Sequence, residues 1–316
     1  VKTSPRSLPS PLRLGGNGPA VLLVLASCSS LQLGAALASK LFATTGSTGA
    51  TLLRLGLAAV MMLVVVRPRA RSWTARQWRA VAVLGVSMAG MNGFFYAAIE
   101  RIPLGTAVTI EFLGPLALAA FLTHQRRDLA WVALAGLGVV LLWAGSEGLD
   151  GGGLDPLGVL FTLVAAAFWA GYIVASARVG TAVPGHSGLA VAVAIGALVL
   201  LPAGAHGAAS AFADPGVLLL AAGTGLLASV IPYSLEFAAL RTLPKSAFGV
   251  LLSLEPVVAA IAGWALLSQH MGPLELVAIA VVVAASVGST LSARPGPAAR
   301  TDLADGPRAP EPALPG

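Results

Sequence analysis

The chain alternates long apolar runs with short polar connections. Ten of the runs approach the roughly 20 residues that a helix needs to cross a bilayer. They lie at about 20–41, 48–66, 77–98, 104–122, 129–145, 156–177, 187–204, 215–238, 245–267 and 273–292. The pattern predicts an all-α integral membrane protein of about ten transmembrane helices. Residues 1–18 and 294–316 are rich in Pro, Gly and Ser and are expected to form disordered tails. The first run follows a basic segment, as a secretory signal would. It exceeds the usual signal length and includes Gln32 and Lys40, so a retained helix is expected.

Composition supports this reading. Of 316 residues, 57% are hydrophobic and only 10% charged, whereas soluble domains are nearer a quarter charged. A soluble fold this apolar could not cover its core with polar surface. The net charge of +6 does not point to nucleic acid, because the 19 Lys and Arg sit in short clusters between apolar runs.

Those clusters set the orientation. With the N-terminus in the cytoplasm, 16 of the 19 fall inside: Lys2, Arg6, Arg13, Arg67, Arg69, Arg71, Arg76, Arg79, Arg126, Arg127, Arg178, Arg241, Lys245, Arg294, Arg300 and Arg308. Only Arg101 falls outside, and Lys40 and Arg54 lie within or near spans. The positive-inside rule therefore places both termini in the cytoplasm and favours an even helix count.

The chain also repeats itself. Ala97-Ala98-Ile99-Glu100-Arg101-Ile102-Pro103 aligns with Ala238-Ala239-Leu240-Arg241-Thr242-Leu243-Pro244. The same constant offset that carries Pro103 onto Pro244 carries Pro115 onto Pro256. Each proline-led loop joins the third to the fourth span of a five-span half. Five crossings per half force the halves to enter the membrane from opposite sides, as two inverted five-helix repeats. The expected layout is a tail at 1–18, one repeat at 19–146, the second at 147–293 and a tail at 294–316. Alternating-access transporters use this arrangement; duplication kept for packing alone is the plainer alternative.

Three acids fall inside spans, where each costs about 2.5–3.5 kcal/mol on insertion scales: Glu111, Glu255 and Glu236. Glu111 and Glu255 lie on the repeat-related fourth and ninth spans, though Glu255 aligns with Gly114. Proline frees the carbonyl four residues earlier. Pro115 therefore frees Glu111, Pro256 frees Leu252 and Pro232 frees Ala228, and such groups must face protein or water. Kinked helices carrying carboxylates predict a hydrated central pathway. The acids could bind a proton, another cation or a substrate ammonium, or could pair with Lys40 or Arg54. Asn92 and Tyr96 share a helical face, Tyr233 matches Asn92 in the second half, and Trp169 and Tyr172 are three apart. All could line a pocket, or could serve packing or the aromatic belt.

Small residues recur every fourth position at Ala26/Ser30/Gly34/Ala38, Ala167/Gly171/Ala175 and Ala280/Ala284/Gly288. These predict close helix packing, with a homodimer as a weaker use. Cys28 is the lone cysteine, and His124, His186, His206 and His270 lack ligand spacing, so no metal site is expected. No GxxxxGK[ST], GxSxG or HExxH motif occurs, and no cofactor or catalytic residue is expected.

Gly90-Met91-Asn92-Gly93-Phe94-Phe95-Tyr96, Ile102-Pro103-Leu104-Gly105 and Glu111-Phe112-Leu113-Gly114-Pro115 together resemble the EamA family of the drug/metabolite transporter superfamily. Ile231-Pro232-Tyr233-Ser234-Leu235-Glu236, Ser253-Leu254-Glu255-Pro256 and Ala38-Ser39-Lys40-Leu41-Phe42 extend the likeness toward its threonine/homoserine exporters. Gly93 and Phe94 depart from that subgroup. The resemblance covers about residues 20–292. It implies a central pathway between inverted repeats and ion-driven export of small metabolites, amino acids first, from a bacterial inner membrane. Proton antiport is the expected coupling. Export of a drug, nucleoside or dipeptide is the alternative; a membrane-embedded transferase or a non-transporting sensor ranks below it.

Overall fold

The computed structural model describes residues 18–123, 126–150, 153–183, 185–240, 243 and 245–292. Apart from Gly18, which begins α1, the two expected tails lie outside these residues. Among the described residues, ten helices are long and apolar enough to cross a membrane.

The elements are α1 (Gly18–Ser39), α2 (Phe42–Val66), α3 (Ala75–Ile99), α4 (Leu104–Glu111), α5 (Leu113–Thr123), α6 (Arg126–Asp150), α7 (Pro156–Ala182), α8 (Ser187–Ser210), α9 (Pro215–Gly225), α10 (Ile231–Leu240), α11 (Lys245–Leu252), α12 (Glu255–Leu267) and α13 (Pro273–Ser292). Three crossings are built from paired pieces: α4 with α5, α9 with α10, and α11 with α12.

Local chemistry sets the boundaries. Thr74 and Gln77 form a capping box at the start of α3. Asp155 and Asp214 cap α7 and α9, and Pro156 and Pro215 follow where a helix tolerates proline. α2 begins at Phe42, ahead of its expected start at 48. It bends at Gly46, whose φ of 65° suits a residue without Cβ. α8 continues through Pro202 to Ser210, past its expected end at 204.

The breaks in the fourth and ninth spans fall at Phe112 and at Ser253–Leu254, so the repeat offset that relates Pro103 to Pro244 survives in the fold. Packing follows the same symmetry. α2 lies against α8, α6 against α13 and α4 against α12, which pairs the second, fifth and fourth spans with their own repeat partners. The first span packs on the eighth (α1 with α9 and α10), and the third packs on the sixth (α3 with α7), as a two-fold exchange requires. The bundle is thus one body whose halves grip each other across the repeat.

Small residues make the grip close. Gly34 of α1 meets the eighth span so tightly that a Cβ there would lie 2.7 Å from the Ala228 nitrogen. Gly288 receives the Trp131 ring. The rest of that third stripe does not pack: Ala280 and Ala284 are exposed, and α13 buries Ala278, Val282, Ala285 and Ser289 instead. Outward-facing apolar side chains such as Val65, Leu219 and Trp264 suit a lipid solvent.

One end of the bundle is shut. Gly105 at the start of α4 sits against Ala260 of α12 and against Met271. The Leu104 amide donates to Gln269 Oε1 at 3.0 Å. Gly158 of α7 accepts the Ile102 side chain, and Arg101 reaches Asp155 at 3.8 Å. Ser47 donates to Glu100 at 2.6 Å. The described starts of α1 and ends of α13 lie at the opposite end.

Gly34→Val forces overlap with backbone, and overpacking of this kind costs about 1–3 kcal/mol. Its thermal midpoint in detergent should fall well below wild type. Gly136→Ala, where nothing lies within 4 Å of the added Cβ, should melt at the wild-type temperature.

Candidate functional site

Between the halves lies a cavity of about 460 Å3. Gln32 of α1, Arg54 of α2, Asn92 of α3, Glu111 of α4, Trp169 and Tyr172 of α7, Tyr233 and Glu236 of α10, and Glu255 of α12 all line it. All of these but Gln32 were expected from sequence, and the broken helices bring them together. Pro115 and Pro232 also line the wall. Pro256 is buried behind Glu255 and is not among the lining residues.

Arg54 is the most buried charge of the cavity lining, only 5% exposed. Its Nη1 donates to the Tyr96 hydroxyl at 3.0 Å and its Nη2 to the Ala228 carbonyl at 2.6 Å. That carbonyl is the one Pro232 deprives of its helical donor. The eighth span widens there into a π-helical turn over Leu226–Val230, and Arg54 fills the vacant acceptor. Tyr96 is fully buried behind this guanidinium and does not line the cavity. It holds Arg54 in place, where sequence had paired it with Asn92 as a pocket donor. The Arg54 Nε has no hydrogen-bond partner.

The acids occupy helix breaks. Glu111 is the last residue of α4 and Glu255 the first of α12, and each is 8% exposed. Gln32 Nε2 donates to Glu255 Oε1 at 3.0 Å, while Gln32 Oε1 is buried without a partner. Glu236 accepts from Ser27 at 2.8 Å. Among the described residues, the ion pairs are Arg101 with Glu100 and with Asp155, so Arg54 has no carboxylate within 4 Å. The alternative of a salt bridge from Arg54 to one of these acids is therefore not made. Lys40 is exposed in the turn between α1 and α2, away from the cavity lining. Its flanking residues end one helix and start the next, which pulls it out of the span.

Aromatic side chains form the walls. Phe112, at the helix break, meets the Trp169 ring edge-on at 5.0 Å. Phe94 stacks on Phe168 at 6.0 Å in the α3–α7 contact and is not a lining residue, so that departure from the exporter pattern lies outside the cavity. Gln32, Ser176, Ser286 and Thr290 line the cavity and were missed. A lone amide in mid-span was a usable signal for Gln32. Ser and Thr are too common in membrane helices to stand out.

The lining is distributed unevenly along the membrane normal. Ser176 lies in the last third of α7, Thr290 in the last turn of α13, and Phe248 in the first turn of α11. The cavity thus reaches from the helix breaks toward the end that carries the chain's described termini, away from the shut end.

Arg54→Met would leave the Tyr96 hydroxyl and the Ala228 carbonyl unpaired, at about 1–3 kcal/mol for each buried group. Its thermal midpoint should fall further than that of Tyr96→Phe, which removes one bond. Wild-type melting in Arg54→Met would show that the bridge adds no stability.

Comparison with known proteins matches this architecture. Residues 156–291 match the EamA-like transporter family. The threonine/homoserine exporter RhtA of Escherichia coli (strain K12) is 38% identical over 274 residues, covering 87% of this chain and 92% of the exporter. RhtA of Salmonella typhimurium (strain LT2) is 38% identical over 277 residues, covering 88% and 93%. The uncharacterized transporter YwfM of Bacillus subtilis (strain 168) is 28% identical over 250 residues, covering 76% and 82%. A solved crystal structure, 20% identical, shares the fold with a TM-score of 0.52 across 85% of this chain and 96% of its own. Related over nearly its whole membrane region to proteins that are transporters and not enzymes, this multi-pass membrane protein belongs to the EamA-like transporter family.

Proposed function

We propose that this protein exports small neutral amino acids, of the threonine and homoserine kind, from the cytoplasm in exchange for protons. The observation that carries the reading is the bipolar cavity. One buried guanidinium with an unpartnered Nε and two buried carboxylates share it. An amino acid presents the complementary pair, with its carboxylate for Arg54 and its ammonium for Glu255, which Gln32 steadies. A volume of about 460 Å3 falls within the range of small-molecule sites. The similarity to threonine/homoserine exporters suggests the substrate class.

Charge bookkeeping supports proton coupling. Set against Glu111, Glu255 and Glu236, Arg54 leaves a surplus of negative charge at membrane depth. A zwitterion adds no net charge, so a proton or other cation must offset the surplus. Helix ends divide the roles. Glu255 begins a half-helix, where the macrodipole favours a standing carboxylate. Glu111 ends one, where the dipole opposes a charge, and that suits the group that takes up and releases the proton.

The shut end and the inverted halves support alternating access. Basic residues gather at the end carrying the termini, so that end is cytoplasmic by the positive-inside rule. The cavity then loads from the cytoplasm, as export requires, across a bacterial inner membrane.

Proteoliposomes test this. With an acidic lumen, labelled threonine should accumulate; a panel including homoserine, phenylalanine, a nucleoside and a dipeptide ranks the cargo. Glu111→Gln should lose at least tenfold of gradient-driven uptake, the scale of a removed proton-transfer group, while keeping threonine counterflow. Gradient-driven uptake at the wild-type rate in Glu111→Gln would remove Glu111 from coupling. A panel in which no amino acid moves would refute the reading.

A further inference from the structure

A second concave site lies outside the pathway, at the cytoplasmic end assigned above. It is a groove of about 680 Å3 between the start of α3 and the end of α7. Arg76 and Arg79 of α3 and Arg178 of α7 line it, with Thr74, Gln77 and Thr181 between them. All three arginines are exposed. Among the described residues none of them has a carboxylate within 4 Å or a side-chain hydrogen bond within the protein. Three guanidiniums converging without a counter-charge repel one another, and the groove is complete only with an anion in it.

Its other features select the kind of anion. Ala80 and Ala175, with small side chains, also line the groove. The Ala182 carbonyl, an acceptor that would repel an anion, is already occupied by Gln77 Nε2 at 2.7 Å. The start of α3 adds the positive end of its dipole. Along the same face of α3, Val83 lines the groove and Val86 follows about one turn on, and both are exposed on the surface of a membrane-spanning helix. Trp78, 41% exposed and tilted against Trp73 with ring centroids 5.5 Å apart, marks the headgroup level. A charged cradle that opens onto an apolar track matches a phosphate with acyl chains attached.

We propose that this groove is a headgroup site for an anionic phospholipid, with Arg76, Arg79 and Arg178 on the phosphate and an acyl chain along Val83 and Val86. Basic pockets between membrane helices on the cytoplasmic side bind such headgroups. The bound lipid would brace α3 against α7, the pair that positions Asn92, Trp169 and Tyr172.

The test uses the full chain, delipidated in detergent and titrated with phosphatidylglycerol, phosphatidylcholine or inorganic phosphate. Thermal midpoints and native mass spectra of retained lipid are the readouts. Phosphatidylglycerol should raise the midpoint and one copy should survive in the spectra; phosphatidylcholine and inorganic phosphate should do neither. The triple variant Arg76→Gln/Arg79→Gln/Arg178→Gln should weaken the phosphatidylglycerol titration roughly a hundredfold, given the attraction per arginine near an anionic surface. The matched triple Arg67→Gln/Arg69→Gln/Arg71→Gln, which alters charge equally in the loop before α3, should titrate like wild type. If the first triple does not fold, each single variant should weaken the titration severalfold. A wild-type titration in the groove variants, equal loss in the loop control, or an equal response to inorganic phosphate would each overturn the proposal.

Discussion

A proline in the eighth span releases the Ala228 carbonyl, and a buried arginine from the second span takes it. Much of the site depends on that exchange. An arginine at membrane depth needs partners, and Arg54 finds them in Ala228 and in Tyr96 of the third span. The same irregular turn receives the first span, with Gly34 against Ala228 and Ser30 donating to the Leu227 carbonyl at 2.7 Å. Two helices of the first half therefore meet one widened turn of the second, and a third reaches it through Arg54. The cation stays in the cavity wall because both its neighbours hold it there.

The scaffold is symmetric and the site is not. Both halves break their fourth span at the same register, next to the repeated proline. One half places an acid before the break, the other places one after it. Among the described residues only the first half supplies a buried arginine, since the repeat places Ile195, and no basic residue, at the position matching Arg54. Under the proposed alternating access, inverted halves would give two exchangeable shapes, and the asymmetric charges would give those shapes a polarity. A zwitterion has such a polarity too.

Sequence conveyed the membrane frame almost entirely. Run length and the constant repeat offset have counterparts in the structure, because lipid penalises every exposed polar group and leaves few ways to arrange the chain. The acids were legible for the same reason. Partnerships were harder to see. Tyr96 resembled a pocket residue because its period matched Asn92, yet side-chain length and packing turned it toward Arg54. Lys40 looked like part of a span, while the short turn between α1 and α2 carries it out. The link from Pro232 to Arg54 joins residues far apart in sequence, and no local pattern encodes it. The small-residue stripe on α13 shows the limit of periodicity: spacing alone did not say that Ala280 and Ala284 face outward.

The central claim is that substrate and proton meet in one cavity built on Arg54, Glu111 and Glu255. Proton release on substrate binding tests it most directly. Purified protein in weakly buffered detergent solution at an initial pH where binding is half-saturated by protons should release protons when threonine is added. The release should saturate with threonine binding and vanish in Glu111→Gln while threonine still binds. Threonine binding with no change in proton occupancy at any starting pH would contradict the account.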